Sequence, residues 1–323
     1  MERADGGPAG RDDLVLHHYE TSPFSEKVRL VLGMKGLRWR SVIVPRIMPK
    51  PDVVALTGGY RRTPFMQIGA DIYCDSLLMC RVIDRLAPEP PLYPAGSAGL
   101  AEIVAQWADS TFFWTAVPYT MQPAGAAHLF AGAPPEYVKA FGADRAAMTP
   151  SLRRAPQHDG ATALAEYLRR LEAMLADGRL FLIGSVASIA DFSAAQSIWF
   201  MRRAPPIAAM LGACPKVVDW FERVAAFGHG KSTPMGSDEA IALAARSVGH
   251  APTSIASGAG FAAGDQVTVV AADYAHDEIA GGIVGLDGEE VVIARDDERA
   301  GRVHVHFPRL GFHVKAARKE RPS

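Results

Sequence analysis

The sequence is poor in cysteine, carries almost no net charge and lacks a long apolar run. Three cysteines are scattered through 323 residues, and their spacing fits neither a disulfide framework nor a zinc motif. A net charge of −1 gives no general attraction to nucleic acid or to anionic membranes. No apolar run approaches the ~20 residues of a membrane-spanning helix, and the first residues, MERADGGPAGRDD, lack the apolar core of a signal peptide. We therefore expect no metal, no nucleic-acid partner, no membrane association and a reducing, cytoplasmic environment.

The residues that are present predict a soluble chain of several domains. Apolar residues make up 49% and charged residues 21%, and 323 residues exceed what one core usually holds. Four prolines interrupt residues 87–97, which predicts a linker because helix interiors and central strands do not accept that pattern. Residues 228–260, rich in Gly, Ser and Ala, predict a second linker with one short helix, and residues 1–12 a loose arm. The predicted domains are 13–87, 98–230 and 261–318.

The first of these units alternates strand and helix signals. A short apolar run, Leu14–Leu16, precedes a polar turn and an amphipathic segment. That segment has one apolar helix face, formed by Phe24, Val28, Val31 and Leu32. Arg38–Val44 predicts a second strand, and Phe65–Ile68 and Ile72–Cys74 flank a hairpin turn before another helical pattern. The predicted order is β-α-β followed by β-β-α.

Two helix starts in this unit offer sites for an anion. Pro23 is favoured in the first turn of a helix, where the amide it lacks would be unsatisfied anyway. The unpaired N–H groups of that turn and the helix dipole favour an anion beside Ser22 and Ser25. Asp75–Ser76 opens a second helix, and Thr63–Pro64 precedes the strand between them. Two helix starts and one proline turn could together cradle a small charged thiol or peptide.

Three segments in this order, SPFSEKVR, TPFMQIG and CDS, resemble the N-terminal, thioredoxin-like domain of cytosolic glutathione transferases. The resemblance extends to about residue 230. It implies a thioredoxin-like domain, an all-α domain, glutathione as co-substrate and a homodimer. In this resemblance Ser22 occupies the catalytic serine position of the zeta- and theta-type members, and Pro64 that of a cis-proline. Asp75 and Ser76 correspond to the acidic residue and serine that bind the γ-glutamyl group.

The resemblance also implies contacts along the rest of the tripeptide. Thr63, before the cis-proline, is expected to hydrogen-bond the cysteinyl part, and Arg62 to reach the glycyl carboxylate. Each position has a simpler explanation as well. Ser22 and the Asp75–Ser76 pair can be helix caps, although the three motifs together favour a ligand role for Ser22. Arg62 lies beside Arg61, and a solvated pair of arginines is the favoured interpretation of it.

Serine at a helix start is sufficient to activate a thiol. The glutathione thiol has a pKa of about 8.5, and lowering it by two units requires about 2.7 kcal/mol. A hydrogen bond to a charged group contributes about 1.5–3 kcal/mol, and a helix N-terminus about 0.3–1 kcal/mol. Ser22 is the expected donor, with Ser25 as the weaker candidate. Because neither residue is a cysteine, disulfide exchange at this site is not expected.

Helical patterns predominate beyond the first linker. Ser188 and Asp191 have the S-x-x-D spacing of a capping box ahead of an apolar helix, which predicts a role in folding rather than catalysis. The aromatic residues of the first helical stretch are expected in the bundle core, with one or two reaching a substrate cleft. They are Trp107, Phe112, Phe113, Trp114 and Tyr119.

The pattern changes from Phe261 onward. Four or five short alternating segments, with a hairpin signal at Asp287–Gly288, predict a small SH3-like β-barrel. His304 and His306 lie on one face of a strand, and two such imidazoles can share a metal. Without cysteines or carboxylates at ligand spacing, we interpret them and His313 as solvated strand histidines.

The leading hypothesis from the sequence is a glutathione transferase that attacks a small apolar electrophile by conjugation, isomerisation or reductive displacement. The alternative is a non-catalytic relative that binds a partner through its C-terminal β module. Nucleic-acid binding by that module is disfavoured, because acidic residues in 287–298 offset the basic residues near its end. Those basic residues are Lys315, Arg318, Lys319 and Arg321.

Overall fold

The computed structural model describes residues 14–150, 152 and 156–317, so the predicted N-terminal arm lies outside the described residues. The first unit has the predicted order of elements, β-α-β followed by β-β-α. Its strands are β1 (Leu14–His18), β2 (Arg38–Ile43), β3 (Phe65–Ile68) and β4 (Asp71–Cys74). Its helices are α1 (Pro23–Met34), α2 (Pro51–Thr57) and α3 (Ser76–Leu86). The predicted thioredoxin-like arrangement is thereby confirmed.

The central strand β1 is buried on both faces. It runs parallel to β2 and antiparallel to β3, which pairs with β4. Leu14 and Leu16 pack into a core shared with α1, α3 and the helical part of the chain. Val15 points into a second core, with residues of α2 and of the C-terminal strands. Burial on both faces explains why this strand is a continuous apolar run instead of an alternating one.

The middle of the chain is helical, as predicted. Its helices are α4 (Ala98–Trp107), α5 (Phe113–Thr120), α6 (Pro123–Leu129), α7 (Pro135–Met148), α8 (Gln157–Met174), α9 (Ile189–Arg202), α10 (Pro205–Ala208) and α11 (Pro215–Ala225). A π-helical turn, Ala108–Phe112, joins α4 to α5, and a 3₁₀ turn, Ala209–Ala213, follows α10. None of the helices in the described part of the chain is long and apolar enough to cross a membrane.

Asp191 holds this helical unit together at the start of α9. Its buried carboxylate accepts hydrogen bonds of 2.8 Å from the backbone N–H groups of Leu182 and Ser188 and from the Trp220 indole. These three donors join the loop between α8 and α9, at two points, and α11 to one residue. The contacts agree with the folding role predicted from the capping-box spacing.

The C-terminal strands continue the sheet of the first unit. After β5 (Lys231–Pro234) and α12 (Ser237–Arg246) come β6 (Gln266–Ala271), β7 (Ile279–Leu286), β8 (Glu290–Asp297), β9 (Gly301–Pro308) and β10 (Phe312–Ala316). Within the described residues, ten strands form one sheet in the order β10-β6-β7-β8-β9-β4-β3-β1-β2-β5. The predicted additional β strands are present, whereas the SH3-like barrel detail is not confirmed. An unpaired edge at β4 would leave backbone groups exposed, and β9 pairs with it in parallel.

Candidate functional site

Ser22 is the N-cap of α1, and its side chain faces the proline turn. Its Oγ accepts the backbone N–H of Ser25 at 3.2 Å and donates toward the Thr63 carbonyl oxygen at 3.5 Å. The first bond satisfies an amide that the helix leaves unpaired. The second is long, so the hydroxyl hydrogen can turn to a better acceptor at little cost. Ser22 is only 2% exposed.

Ser25 lies beside Ser22 but in a different environment. It is fully buried, and its hydroxyl has no hydrogen-bond partner among the described residues. Its backbone N–H is the group that Ser22 caps. The structure therefore places Ser25 behind Ser22, in the first turn of α1, rather than on an open surface.

The Thr63 carbonyl, next to Pro64, lies against the Ser22 side chain. The Thr63–Pro64 peptide bond is cis. The buried amine of Lys50 donates to Thr63 Oγ1 at 3.4 Å and to the Arg61 carbonyl at 3.2 Å. Burial, with the nearby charge of Arg145, lowers the pKa of Lys50 to about 8. Lys50 is a cation that the sequence analysis did not assign to this site.

Asp75 and Ser76 form the N-terminus of α3. Asp75 Oδ1 accepts the N–H of Leu77 at 2.9 Å, so the predicted cap is present. Asp75 also has φ of +74°, a conformation that costs a non-glycine residue about 1–3 kcal/mol and is concentrated at functional sites. Its carboxylate stays partly exposed while Ser76 is buried. The cap and the unusual backbone together present Asp75 beside the helix start.

A buried ion pair supports Ser76 from below. The Lys27 amine lies 2.6 Å from Asp109 Oδ2 and donates to Ser76 Oγ at 3.3 Å. Burial alone would lower the pKa of Lys27, but the Asp109 carboxylate raises it overall, so the amine is charged. Asp109 sits in the π-helical turn and also accepts from Ser193 and Gln196. A buried ion pair thus lies behind the start of α3, with its ammonium end toward Ser76.

Arg62 is buried, so the interpretation of Arg61 and Arg62 as a solvated pair is wrong for Arg62. It is 7% exposed, and its guanidinium bonds the Asp273 carboxylate and the Tyr274 carbonyl in the loop between β6 and β7. It also lies 3.7 Å from the centre of the Tyr274 ring and 3.9 Å from Asp75 Oδ2. Arg61 is paired separately, with Asp144 at 2.7 Å. Both guanidinium groups are paired with carboxylates, which come from elements distant in sequence.

An apolar wall runs along the helical side of this site. Phe24 packs on Phe113 with ring centres 4.6 Å apart, Phe113 contacts Trp114 at 5.1 Å, and Trp114 contacts Tyr274 at 5.0 Å. Phe112, by contrast, is fully buried and stacks on Trp107, as expected for bundle core. Two of the aromatic residues considered for a cleft therefore belong to this wall.

The strand histidines of β9 also differ from the prediction. His306 is 1% exposed and His304 is half-buried, so neither is a solvated strand histidine; His313 is exposed, as expected. The reason is the pairing of β9 with β4, which places His304 beside Asp71 and His306 beside Tyr73. His306 Nε2 lies 3.0 Å from Asp71 Oδ1.

Several residues of the site have no signal in the sequence. Lys27 and Lys50 are single lysines in ordinary contexts, and Asp109 lies in a helical stretch. Asp273 and Tyr274 lie some 200 residues beyond the motifs. The one local signal in the sequence is the position of Lys27, a charged residue within the apolar pattern of α1.

Comparison with known proteins identifies relatives for both predicted units. The family described as "Glutathione S-transferase, N-terminal domain" matches residues 16–91, and "Glutathione S-transferase, C-terminal domain" matches residues 144–223. Among curated proteins, pyrimidodiazepine synthase of Drosophila melanogaster is 29% identical over 85 residues, which are 25% of this chain. That match spans only about a third (35%) of the Drosophila protein.

Solved structures extend the similarity to nearly the whole chain. The crystal structure of a GST-like protein from Pseudomonas syringae is 40% identical, covers 94% of this chain and 99% of its own, and superposes with a TM-score of 0.77. The unmatched part is smaller than the C-terminal strands, so that relative shares most of them. Glutathione S-transferase III in its apo form is 25% identical, covers 66% of this chain and 92% of its own, and has a TM-score of 0.51. The chain belongs to the glutathione S-transferase family.

Proposed function

We propose that this protein is a glutathione-dependent transferase in which Ser22 stabilises the glutathione thiolate. The observation that carries the proposal is the hydrogen bonding of Ser22. Its oxygen already accepts the Ser25 N–H, so its own hydrogen is available for donation. Accepting one hydrogen bond polarises a hydroxyl and strengthens the next one it donates. The present acceptor, the Thr63 carbonyl, is a weak competitor at 3.5 Å.

The remaining motif residues would hold the tripeptide around that hydroxyl. Thr63 and Pro64 would carry the cysteinyl part next to Ser22. The start of α3, with the Ser76 hydroxyl held by Lys27, favours the γ-glutamyl carboxylate. The partly exposed Asp75 carboxylate suits the γ-glutamyl ammonium. Either Arg62 or Lys50 would face the glycyl carboxylate, and Ser25 would support the first turn of α1.

The aromatic wall favours a small apolar electrophile as the second substrate. Phe24 lies in the first turn of α1, and the wall runs from it through Phe113 and Trp114 to Tyr274, so a compound lying on its Phe24 end would be near the Ser22 hydroxyl. Desolvation by these rings also strengthens the hydrogen bond to the thiolate, because a lower local dielectric strengthens electrostatic interactions. Family membership further supports a cytoplasmic location and a homodimer. Light scattering on the purified protein would test the homodimer.

The decisive experiment uses two substitutions of Ser22. Ser22→Ala removes the donor and the cap, which costs about 1 kcal/mol of stability. Ser22→Asp keeps a capping oxygen but has no hydrogen to donate when ionised. Both should raise the pKa of bound glutathione, measured by ultraviolet thiolate absorbance, by about two units. Activity with a chromogenic electrophile at neutral pH should fall about 100-fold, because a two-unit shift is a hundredfold change in thiolate fraction.

Ser232→Ala is the matched control, since Ser232 lies on the exposed strand β5 and should leave both readings unchanged. If wild-type protein binds glutathione and Ser22→Asp keeps the same thiol pKa and activity, Ser22 has no such role.

A second candidate function is a non-catalytic family member that acts through its C-terminal strands. The specific observation in its favour is that Asp273 and Tyr274 already occupy the Arg62 guanidinium. Retention on immobilised glutathione separates the two candidates. A protein that passes through the column and has no conjugating activity supports the binding function.

A further inference from the structure

A second cluster of chemically reactive side chains lies at the other end of β4. Asp71 opens β4, His304 lies on β9, and His250 follows α12. The carboxylate and imidazole ligand atoms of these residues all lie within 4.8 Å of one another. Asp71 Oδ1 is 3.4 Å from His250 Nδ1 and 3.9 Å from His304 Nδ1. Asp71 precedes Asp75 by four residues, about 13 Å of extended strand, so this cluster is separate from the proposed glutathione site.

The two imidazoles of this cluster are left with unsatisfied nitrogens. The His250 and His304 rings stack with centres 3.5 Å apart and planes 11° apart. Both Nδ1 atoms are buried and have no hydrogen-bond partner among the described residues. Buried polar atoms in native proteins nearly always have a hydrogen-bond partner, so two such nitrogens beside one carboxylate oxygen are suited to a ligand.

The carboxylate is held in place by an outer layer of contacts. Asp71 Oδ2 accepts the N–H of Ala251 at 2.8 Å, and Asp71 Oδ1 lies 3.0 Å from His306 Nε2. His306 is itself buried, with its Nδ1 3.5 Å from Glu290 Oε2. Outer partners of this kind orient the ligands of metal sites.

We propose that Asp71, His250 and His304 bind a divalent transition-metal ion of the zinc type. Two imidazole nitrogens and one carboxylate oxygen suit zinc and its neighbours and not calcium or magnesium, which prefer oxygen ligands throughout. Ligand atoms around tetrahedral zinc lie about 3.3 Å apart, so the distances of 3.4 and 3.9 Å from Asp71 need to change by less than an ångström. At least one of the stacked rings must also turn when the ion binds, because a metal lies in the plane of each imidazole that holds it. The fourth position is available to water.

The ion would connect three parts of the chain. β4 belongs to the thioredoxin-like unit, β9 to the C-terminal strands, and His250 to the segment that joins α12 to β6. A metal here would fasten the C-terminal strands to the first unit where β9 meets β4. The competing explanation is a plain ion pair between Asp71 and protonated histidines, which would bind no metal.

The test is metal binding by the full chain without an affinity tag. Protein stripped with a chelator is titrated with Co²⁺ and then with Zn²⁺. We expect one equivalent of Co²⁺ with visible absorption bands, displacement by Zn²⁺, and a higher Tm with either ion. His250 lies outside strands and helices, so His250→Ala should preserve the fold. It should weaken Co²⁺ binding at least about 100-fold, which is more than the loss of an outer-shell partner causes. His304→Ala should do the same.

His313→Ala is the matched control, because His313 is exposed on β10 and should leave binding unchanged. Absence of stoichiometric Co²⁺ binding by the wild-type chain overturns the proposal. So does His250→Ala protein that binds Co²⁺ with unaltered affinity and spectrum. Neither reading depends on glutathione, so this proposal and the proposed function can fail separately.

Discussion

Arg62 and Tyr274 are 212 residues apart in sequence, yet the Arg62 guanidinium lies 3.7 Å from the centre of the Tyr274 ring. The contact is reinforced by the adjacent Asp273 carboxylate and by the bond from Ala275 N to the Met148 carbonyl at 2.7 Å. A loop of the C-terminal strands therefore lies over the start of α3 and reaches α7. The C-terminal part of the chain contributes directly to the candidate site.

Replacing Asp273 tests whether this loop competes with glutathione. Asp273→Asn removes a carboxylate from Arg62, and the freed guanidinium should then bind a glutathione carboxylate better. Because Asp273 is half-exposed, we expect a modest effect, a Kd for glutathione that falls about two- to tenfold. Isothermal titration calorimetry provides the measurement. Asp277→Asn makes the same charge change elsewhere in the loop and should have no effect; weaker binding by Asp273→Asn would contradict competition.

The Lys27–Asp109 pair should be important for folding. Lys27→Met leaves the Asp109 carboxylate without its cation in a largely buried place, which costs about 3–5 kcal/mol of unfolding free energy. The double variant Lys27→Met/Asp109→Leu should lose much less than the two single variants together. Urea unfolding measures all three. Arg202→Met breaks the exposed pair with Glu222 and should cost less than about 1 kcal/mol; equal losses at both pairs would refute the argument.

Two buried histidines predict an acid-sensitive fold. Burial lowers the pKa of His17 to about 4, and burial together with the Arg29 charge lowers that of His18 to about 3. Between pH 6.5 and about 4 the unfolded chain binds protons that the folded chain does not. The free energy of unfolding should therefore fall as the pH falls, by at most about 1.4 kcal/mol per pH unit for each histidine.

Denaturant titrations between pH 7 and pH 4 measure this slope. His17→Gln should reduce the dependence of the unfolding free energy on pH. His313→Gln, at an exposed position, should leave that dependence unchanged. A slope in the His17→Gln protein that equals the wild-type slope would show that His17 is not buried in its neutral form.

Substitution by alanine at two helical glycines should change the stability of the protein in opposite directions. A Cβ at Gly33, in the last turn of α1, would come within 2.0 Å of the Gly228 carbonyl oxygen, so Gly33→Ala should destabilise the protein by several kcal/mol or displace that turn. A Cβ at Gly142, inside α7, meets nothing within 4 Å among the described residues, so Gly142→Ala should raise stability by about 0.5–1 kcal/mol. Thermal unfolding of both variants decides; a stabilising Gly33→Ala would mean that α1 does not pack on residues 227–228.

The elements that the sequence predicts correctly are those with local causes. Leu14–Leu16 is long enough and apolar enough to be a buried strand, and Ser22-Pro23 marks the start of α1 through capping and proline chemistry. The Ser188–Asp191 spacing likewise places the start of α9. Each signal acts within one turn of helix or one strand, so neighbouring residues are sufficient to determine it.

The remaining features depend on pairing between distant segments. The parallel contact of β9 with β4 buries His306 and brings His304 and His250 to Asp71, and the β6–β7 loop brings Tyr274 to Arg62. The sequence by itself determined β1 to β4, the presence of the C-terminal strands, the starts of α1, α3 and α9, and the serine that caps α1, whereas β5 lies in a segment predicted to be a linker. Only the tertiary structure decided which edge the C-terminal strands join and which charges meet, because these contacts depend on strand pairing across hundreds of residues, and local spacing contains no record of it.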